Sequence, residues 1–306
     1  MDIRFARLKD IWDQETILGL TLNNNPTVQD VWNSTPAWGF PYNASHLAAS
    51  PAAAARIDGQ LGQTVLGIGA YAFWNDWVYL EADAYRGLGR DIRNATGIVP
   101  VQNSNSVVGT APYWRLALQH DFGRANWEIG TYGMALDVLP QGASPLPGGP
   151  ADHFTDVALD GNWQFTVSPR QVASDVISAH ATLINESQDL AASAILPGTP
   201  RHGHLTTARA DLSYSLAATL TPSAQIFSTT GTREHSIWTP PGGNPDSSGA
   251  IFELAYSPFG KTTSAIIWGN LRLAAQYVMY TRFNGHSQGA SGNNTLYLSL
   301  WLAWHY

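Results

Sequence analysis

The stretch that decides the fold is NNTLYLSLWLAWHY, residues 293–306. Leu296, Leu298, Leu300, Leu302, Trp304 and Tyr306 take every second position, with Tyr297, Ser299, Trp301, Ala303 and His305 between them. A period of two belongs to a β-strand, whose side chains point alternately to opposite faces. Soluble domains commonly finish in a few polar, loosely held residues. This stripe is apolar and aromatic to its last position. A buried terminal strand explains the alternation but not the aromatic at the end; a strand inside a closed sheet explains both. Leu302, Trp304 and Tyr306 also resemble a C-terminal assembly signal of the kind recognised by outer-membrane assembly machinery.

The same period recurs upstream. Strands are expected near 15–23, 63–74, 77–87, 112–122, 126–138, 154–167, 176–187, 208–220, 225–238, 250–259 and 271–283. With the last stretch that makes about twelve, and a further one at 2–7 would make thirteen. No stretch of useful length carries the 3.6-residue period of a helix. Tight breaks, such as Asn75-Asp76, Gly123-Arg124-Ala125 and Thr221-Pro222-Ser223, alternate with long polar segments such as 24–59, 88–110 and 139–153. Runs of 9–13 residues suit a tilted membrane crossing better than the ~5–6 of an average globular strand.

Composition narrows the class. Of the 306 residues only 13% are charged, against roughly 25% in a typical soluble protein. No run approaches the ~18 apolar residues of a membrane helix. Uncharged polar residues, 28 Gly, 12 Trp and 12 Tyr fill the gap, as in a transmembrane β-barrel or a large secreted sandwich. A net charge of −7 with no basic run argues against nucleic acid. With no cysteine, disulfides, thiolate metal sites and haem attached through C-x-x-C-H are excluded within these residues.

The two faces favour the barrel. In 208–220, Ala208, Ala210, Leu212, Tyr214 and Leu216 oppose Arg209, Asp211, Ser213 and Ser215. In 157–167, Val157, Leu159, Trp163 and Phe165 oppose Asp160, Asn162 and Gln164. A sandwich would turn the apolar faces inward and enclose an outsized core; a barrel turns them to lipid. The expected fold is thus all-β, a single up-and-down antiparallel transmembrane barrel of about 12–14 strands. Its turns would be periplasmic and short, its extracellular loops long. Closure is expected through pairing of the last strand with the first.

Alternation assigns the lumen. Glu81, Asp83, Arg115, Glu128, Asp160, His180, Arg209, Asp211, Glu253, Arg272 and Arg282 are expected to line it, with charges of the two signs nearly balanced. Strong ion selectivity would need a ring of one sign. A lumen cross-braced by Arg–carboxylate pairs and largely occluded is the plainer alternative. The segment 24–59 is read as a constriction, with Trp32, Trp38 and Phe40 at its tip, or as a loop packed over the barrel mouth. His180 is read as a haem ligand or proton relay, with a hydrogen-bonded lumen histidine as the simpler account. His202-x-His204 lacks a third ligand for a metal. No nucleophile elbow or other catalytic constellation is legible, so no enzyme activity and no metal site are expected.

Several blocks carry a further likeness: LGLTLNNNPTVQDVWNSTPAWGFPY (18–42), TDVALDGNWQF (155–165), SAHATLINESQ (178–188) and LRLAAQYVMYTRFNG (271–285) with GNNTLYLSLWLAW (292–304). They resemble a family of proteobacterial outer-membrane porin-like barrels often described as cytochromes. The resemblance implies a short c-type haem segment upstream of the barrel, periplasmic cytochromes as partners, and electron transfer across the bacterial outer membrane. No haem is expected in this chain itself, and upstream strands are expected to be missing. Passive solute diffusion without redox chemistry, and a soluble secreted β-rich binding protein, are the alternatives.

Overall fold

A computed structural model of the chain describes residues 2–26, 47–62, 64–88, 106–139, 149–168, 174–195, 200–234, 237–238, 243–259 and 269–304. The strands are β1 (Asp2–Ile11), β2 (Gln14–Asn23), β3 (Val65–Trp74), β4 (Val78–Gly87), β5 (Ser106–Val108), β6 (Ala111–Phe122) and β7 (Ala125–Leu139). They continue with β8 (Asp152–Ser168), β9 (Asp175–Asp189), β10 (His202–Ser215), β11 (Leu220–Gly231), β12 (Ser247–Tyr256), β13 (Gly269–Arg282) and β14 (Thr295–Trp304). All lie in one antiparallel sheet. Each strand of the meander pairs with its neighbours in sequence, and the short β5 pairs aside with β7. This is the all-β, up-and-down arrangement that the period-two pattern predicts.

Local chemistry sets the hairpins. Trp12-Asp13, Asn75-Asp76 and Ala217-Ala218 each place two consecutive residues at positive φ. That is the backbone of the type I′ turn, whose twist matches that of the strands it joins. At Ala217-Ala218 the sequence misleads. Turn residues point to Thr221-Pro222-Ser223, yet Pro222 lies within β11, exposed and opposite Leu254. Continuous cross-strand pairing over 205–213 with 223–231 outweighs the turn preference of one proline. The β10 strand accordingly starts earlier than expected, at His202, and β11 ends at Gly231. Residues 2–7 belong to a full strand, and β5 forms inside a segment read as loop.

Burial follows the period closely. Along β4, Tyr79, Glu81, Asp83 and Tyr85 are buried while Leu80 is 51% exposed. Along β8, Asp152, Phe154, Asp156, Ala158, Asp160 and Asn162 are buried while Val157 and Leu159 are exposed. The exposed face runs across the whole sheet through Phe5, Leu20, Ile68, Leu116, Ile129, Leu212, Ile226, Leu254 and Leu298. In a water-soluble domain the polarity of the two faces would be the reverse.

Part of the 24–64 connection packs on the buried face. Ala53, Ala55, Ile57 and Leu61 join Tyr85, Tyr113, Tyr132, Met134, Phe154 and Ile184 in one apolar cluster. The same segment reaches Asp156 on β8, Glu186 on β9, Arg209 on β10 and Tyr280 on β13. The segment therefore lies across the buried face from β8 to β13.

Closure departs from expectation. Among the described residues β14 pairs only with β13, and β1 only with β2. Both edge strands run in the same direction, as they must when thirteen strands follow one another up and down. Direct pairing of first to last would therefore be parallel. Antiparallel closure requires one strand of opposite direction between them.

Candidate functional site

The buried face divides into two regions. On β4 to β9 it is dense with carboxylates, with one arginine buried among them. Arg115 donates from Nη1 and Nη2 to the two carboxylate oxygens of Asp160, at 3.1 and 2.7 Å, and from Nη2 to Glu128 at 3.1 Å. Its guanidinium also lies 5.3 Å from the centre of the Tyr132 ring. Asn162 Nδ2 donates to the second oxygen of Glu128 at 2.7 Å. The fork of an arginine suits this two-oxygen arrangement, which a lysine cannot reproduce.

Glycine makes the room. A Cβ on Gly130 would fall 2.6 Å from Glu128, 2.7 Å from Asp160 and 3.0 Å from Arg115. One on Gly67 would strike the Tyr85 ring at 2.1 Å. Tyr85 thus lies flat across its partner in the neighbouring strand, its hydroxyl 2.9 Å from an Asp83 carboxylate oxygen and 3.0 Å from the Asn23 amide oxygen, with one proton to donate between them. Tyr79 donates to Glu81 in the same manner at 2.9 Å.

The inserted segment is pinned by its backbone. The Ile57 N–H donates to Asp156 at 2.7 Å and the Arg56 N–H to Glu186 at 2.6 Å. The Arg56 guanidinium stacks 4.4 Å over the Phe154 ring. Burial pushes the Arg56 pKa below its ordinary value, while Glu186, Asp156 and Asp152 oppose that shift. At the far side Asp58 accepts from Arg209 at 3.0 Å, and the Tyr280 hydroxyl donates to the carbonyl of Ala49 at 3.0 Å.

Beyond that pair, on β10 to β14, the interior opens. A cavity of about 250 Å³ lies between residues 48–58 and the strands, walled by Thr207, Phe227, Ile251, Val278 and Tyr297. Nearby, Glu253 is held by Arg272 and by Gln276, the latter at 2.9 Å.

Of the eleven residues assigned to the interior by alternation, Glu81, Asp83, Arg115, Glu128, Asp160 and Glu253 are buried, and Arg209, Asp211, Arg272 and His180 are partly so. Arg282 differs. A bulge between Ser248 and Gly249 shifts the register there, and Arg282 sits exposed at the rim, paired with Asp246 at 3.3 Å. His180 holds Asp211 through Nδ1 at 2.9 Å, which favours the hydrogen-bonded reading. His204 engages Thr232 at 3.0 Å, and no cluster among the described residues offers a metal three ligands. Trp32, Trp38, Phe40 and Tyr306 lie outside the described residues, whereas Leu302 and Trp304 are on the exposed face.

Charge balance needs correction. Among the described residues Arg115 is the fully buried cation, against eleven buried acids that include Asp58, Asp152, Asp156, Asp175 and Glu186. Half-buried Arg56, Arg209 and Arg272 offset only part of that excess. Asp156 and Glu186 alternate in phase with Asp160 and Thr182 and were legible in principle. Asp58 belongs to the segment 24–59, for which an inward fold is one of the two sequence readings, but nothing local pairs it with Arg209.

With no cysteine, these residues contain no C-x-x-C-H through which a haem could be covalently attached. Searches of family models, of curated proteins and of solved structures returned no match to the chain.

Proposed function

We propose that the chain is a porin-like β-barrel of the bacterial outer membrane, the conduit part of a cytochrome–porin type protein that moves electrons across that membrane. The observation that carries the membrane reading is the inverted sheet, with large apolar side chains exposed on one face and carboxylates and arginines buried on the other. A lipid surround makes that distribution favourable, whereas water stabilises the opposite one. In this reading the sheet curls and closes with one further antiparallel strand. Its lipid partners lie against Leu298, Ile226 and Leu159, and assembly machinery reads the C-terminal stripe.

The electron-transfer role rests on the family resemblance alone. Any haem belongs to a segment outside these residues, where periplasmic cytochromes would meet it. Residues 49–61 fill the interior between β8 and β13, which supports a sheath or occluded conduit over a wide diffusion pore. The cavity beside them favours passive diffusion of small solutes as the second reading. A soluble secreted binding protein is the third, and the breadth of the exposed apolar face weighs against it.

Reconstitution in a planar bilayer tests the reading. The expected result is insertion from detergent, heat-dependent gel mobility, and a small conductance whose reversal potential favours cations, because the interior is acidic. Large, unselective conductance would establish a diffusion pore instead. A chain that stays soluble without detergent would overturn the membrane assignment.

A further inference from the structure

We propose that Asp156 and Glu186 form a proton-dependent latch, which seats residues 49–61 against the strands near neutral pH and releases them as the medium turns alkaline. The two residues are direct register partners across β8 and β9, so their side chains leave the sheet about 5 Å apart. Both are buried, at 1% and 2% exposure. They hold the backbone N–H groups of consecutive residues, Arg56 on Glu186 at 2.6 Å and Ile57 on Asp156 at 2.7 Å. The other oxygen of Glu186 accepts from Gln188 at 2.6 Å. The other oxygen of Asp156 is buried and has no donor. Next to a carboxylate, that oxygen is where a shared proton sits.

The surroundings supply little else to balance two charges. Met134 on β7 and Leu205 on β10 flank the pair in the same row. Along the strands, Phe154, Ala158 and Ile184 are buried beside it. Asp152 is occupied by Ser193, and Asp58 by Arg209. Among the described residues the cation facing the pair is Arg56, carried by the inserted segment and stacked on Phe154. One guanidinium balances one carboxylate, so the covered pair keeps one proton. Loss of that proton to water leaves two like charges side by side, and withdrawal of the segment that covers them lets water in. The seated state therefore binds one proton more than the withdrawn state, and seating weakens roughly ten-fold per pH unit once the pair titrates. Water is near: the outward neighbours Thr155, Asn185 and Ser187 are polar, which puts the pair on the long-loop side of the apolar band that holds Leu159.

That release widens a conduit rests on the proposed function; the latch itself is tested without conduction. Arg56 is the sole Lys or Arg between Lys9 and Arg86. Trypsin cutting at Arg56–Ile57 in detergent thus reports withdrawal, with the exposed Arg201–His202 bond as the reference. Resistance is expected near pH 7, with cutting relative to the reference rising toward about pH 9 by roughly ten-fold per unit. Asp156→Asn keeps an acceptor for Ile57 and puts a permanent N–H donor where the proton was. Glu186→Gln leaves one carboxylate beside the guanidinium. Each should keep the segment seated at the alkaline end, and the second variant serves if the first fails to fold. A cutting ratio flat with pH, or alkaline release that persists in the variants, would overturn the latch. Release with the expected dependence in a chain that never conducts keeps the latch and removes the conduit; conduction with a flat ratio does the reverse.

Discussion

The two sides of the buried face use the same residue types to opposite ends. On β4 to β9, Arg115 is buried on Glu128 and Asp160, and Glu128 is held in turn by Asn162. On β10 to β13, Arg209 keeps partial exposure, spends itself on Asp58 of the inserted segment, and borders open space. Glycine accounts for much of the contrast. Gly67, Gly69 and Gly130 let tyrosine, carboxylate and guanidinium groups lie flat against the strands of the first side. A sheet packed that way becomes a brace. Where such glycines are fewer, side chains stand away from the sheet and leave a cavity.

Breaking the brace should have the largest effect. Arg115→Met leaves Glu128 and Asp160 buried beside each other without their cation, a change that costs about 3–5 kcal/mol when a buried pair loses one partner. Urea or thermal unfolding in detergent should show that loss. A change under about 1 kcal/mol would mean that water or a neighbouring group already solvates the pair.

The exteriors of the two sides should behave alike, since the proposed lipid surrounds both. Leu159→Arg on β8 and Ile226→Arg on β11 replace exposed side chains near mid-strand. Each should cost about 2–4 kcal/mol if lipid faces it, and within ~0.5 kcal/mol if water does. Equal large losses on the two sides support the membrane reading; two near-zero values remove it.

Loosening the cavity side should cost less and show up elsewhere. Arg209→Met strands Asp58, but both groups lie close to the cavity, and a penalty of about 1–2 kcal/mol is expected, below that of a sealed pair. Because the bond ties residues 49–61 to β10, conductance should rise by more than stability falls. Unchanged conductance would place the constriction on the braced side. The smallest effect belongs to the rim, where Arg201 pairs with Asp189, both well exposed. Arg201→Ala should shift the unfolding midpoint by no more than ~0.5 kcal/mol, the usual worth of a surface pair.

Much of this was legible beforehand. The stripe from Leu296 to Trp304, the alternation of Val157 and Leu159 with Asp156 and Asp160, and the scarcity of lysine dictate long strands with one apolar and one polar face. Period-two patterning is a property of neighbours in the chain, so a sequence carries it openly. Exceptions sit where pairing competes with turn preference: Ala217-Ala218 turns while Pro222 stays in a strand, because the ladder on both sides outweighs one residue's bias. The bulge that moves Arg282 to the rim is likewise a product of pairing.

Tertiary structure alone decided which groups meet across the buried face. Arg56 and Ile57 carry no local sign that their backbone N–H groups meet Glu186 and Asp156, 130 and 99 positions away. Nor does Asp58 announce Arg209. Which face is polar is written in the spacing of residues along a strand. Which groups meet across the interior depends on curvature and register summed over many strands, and that sum exists only in the folded chain.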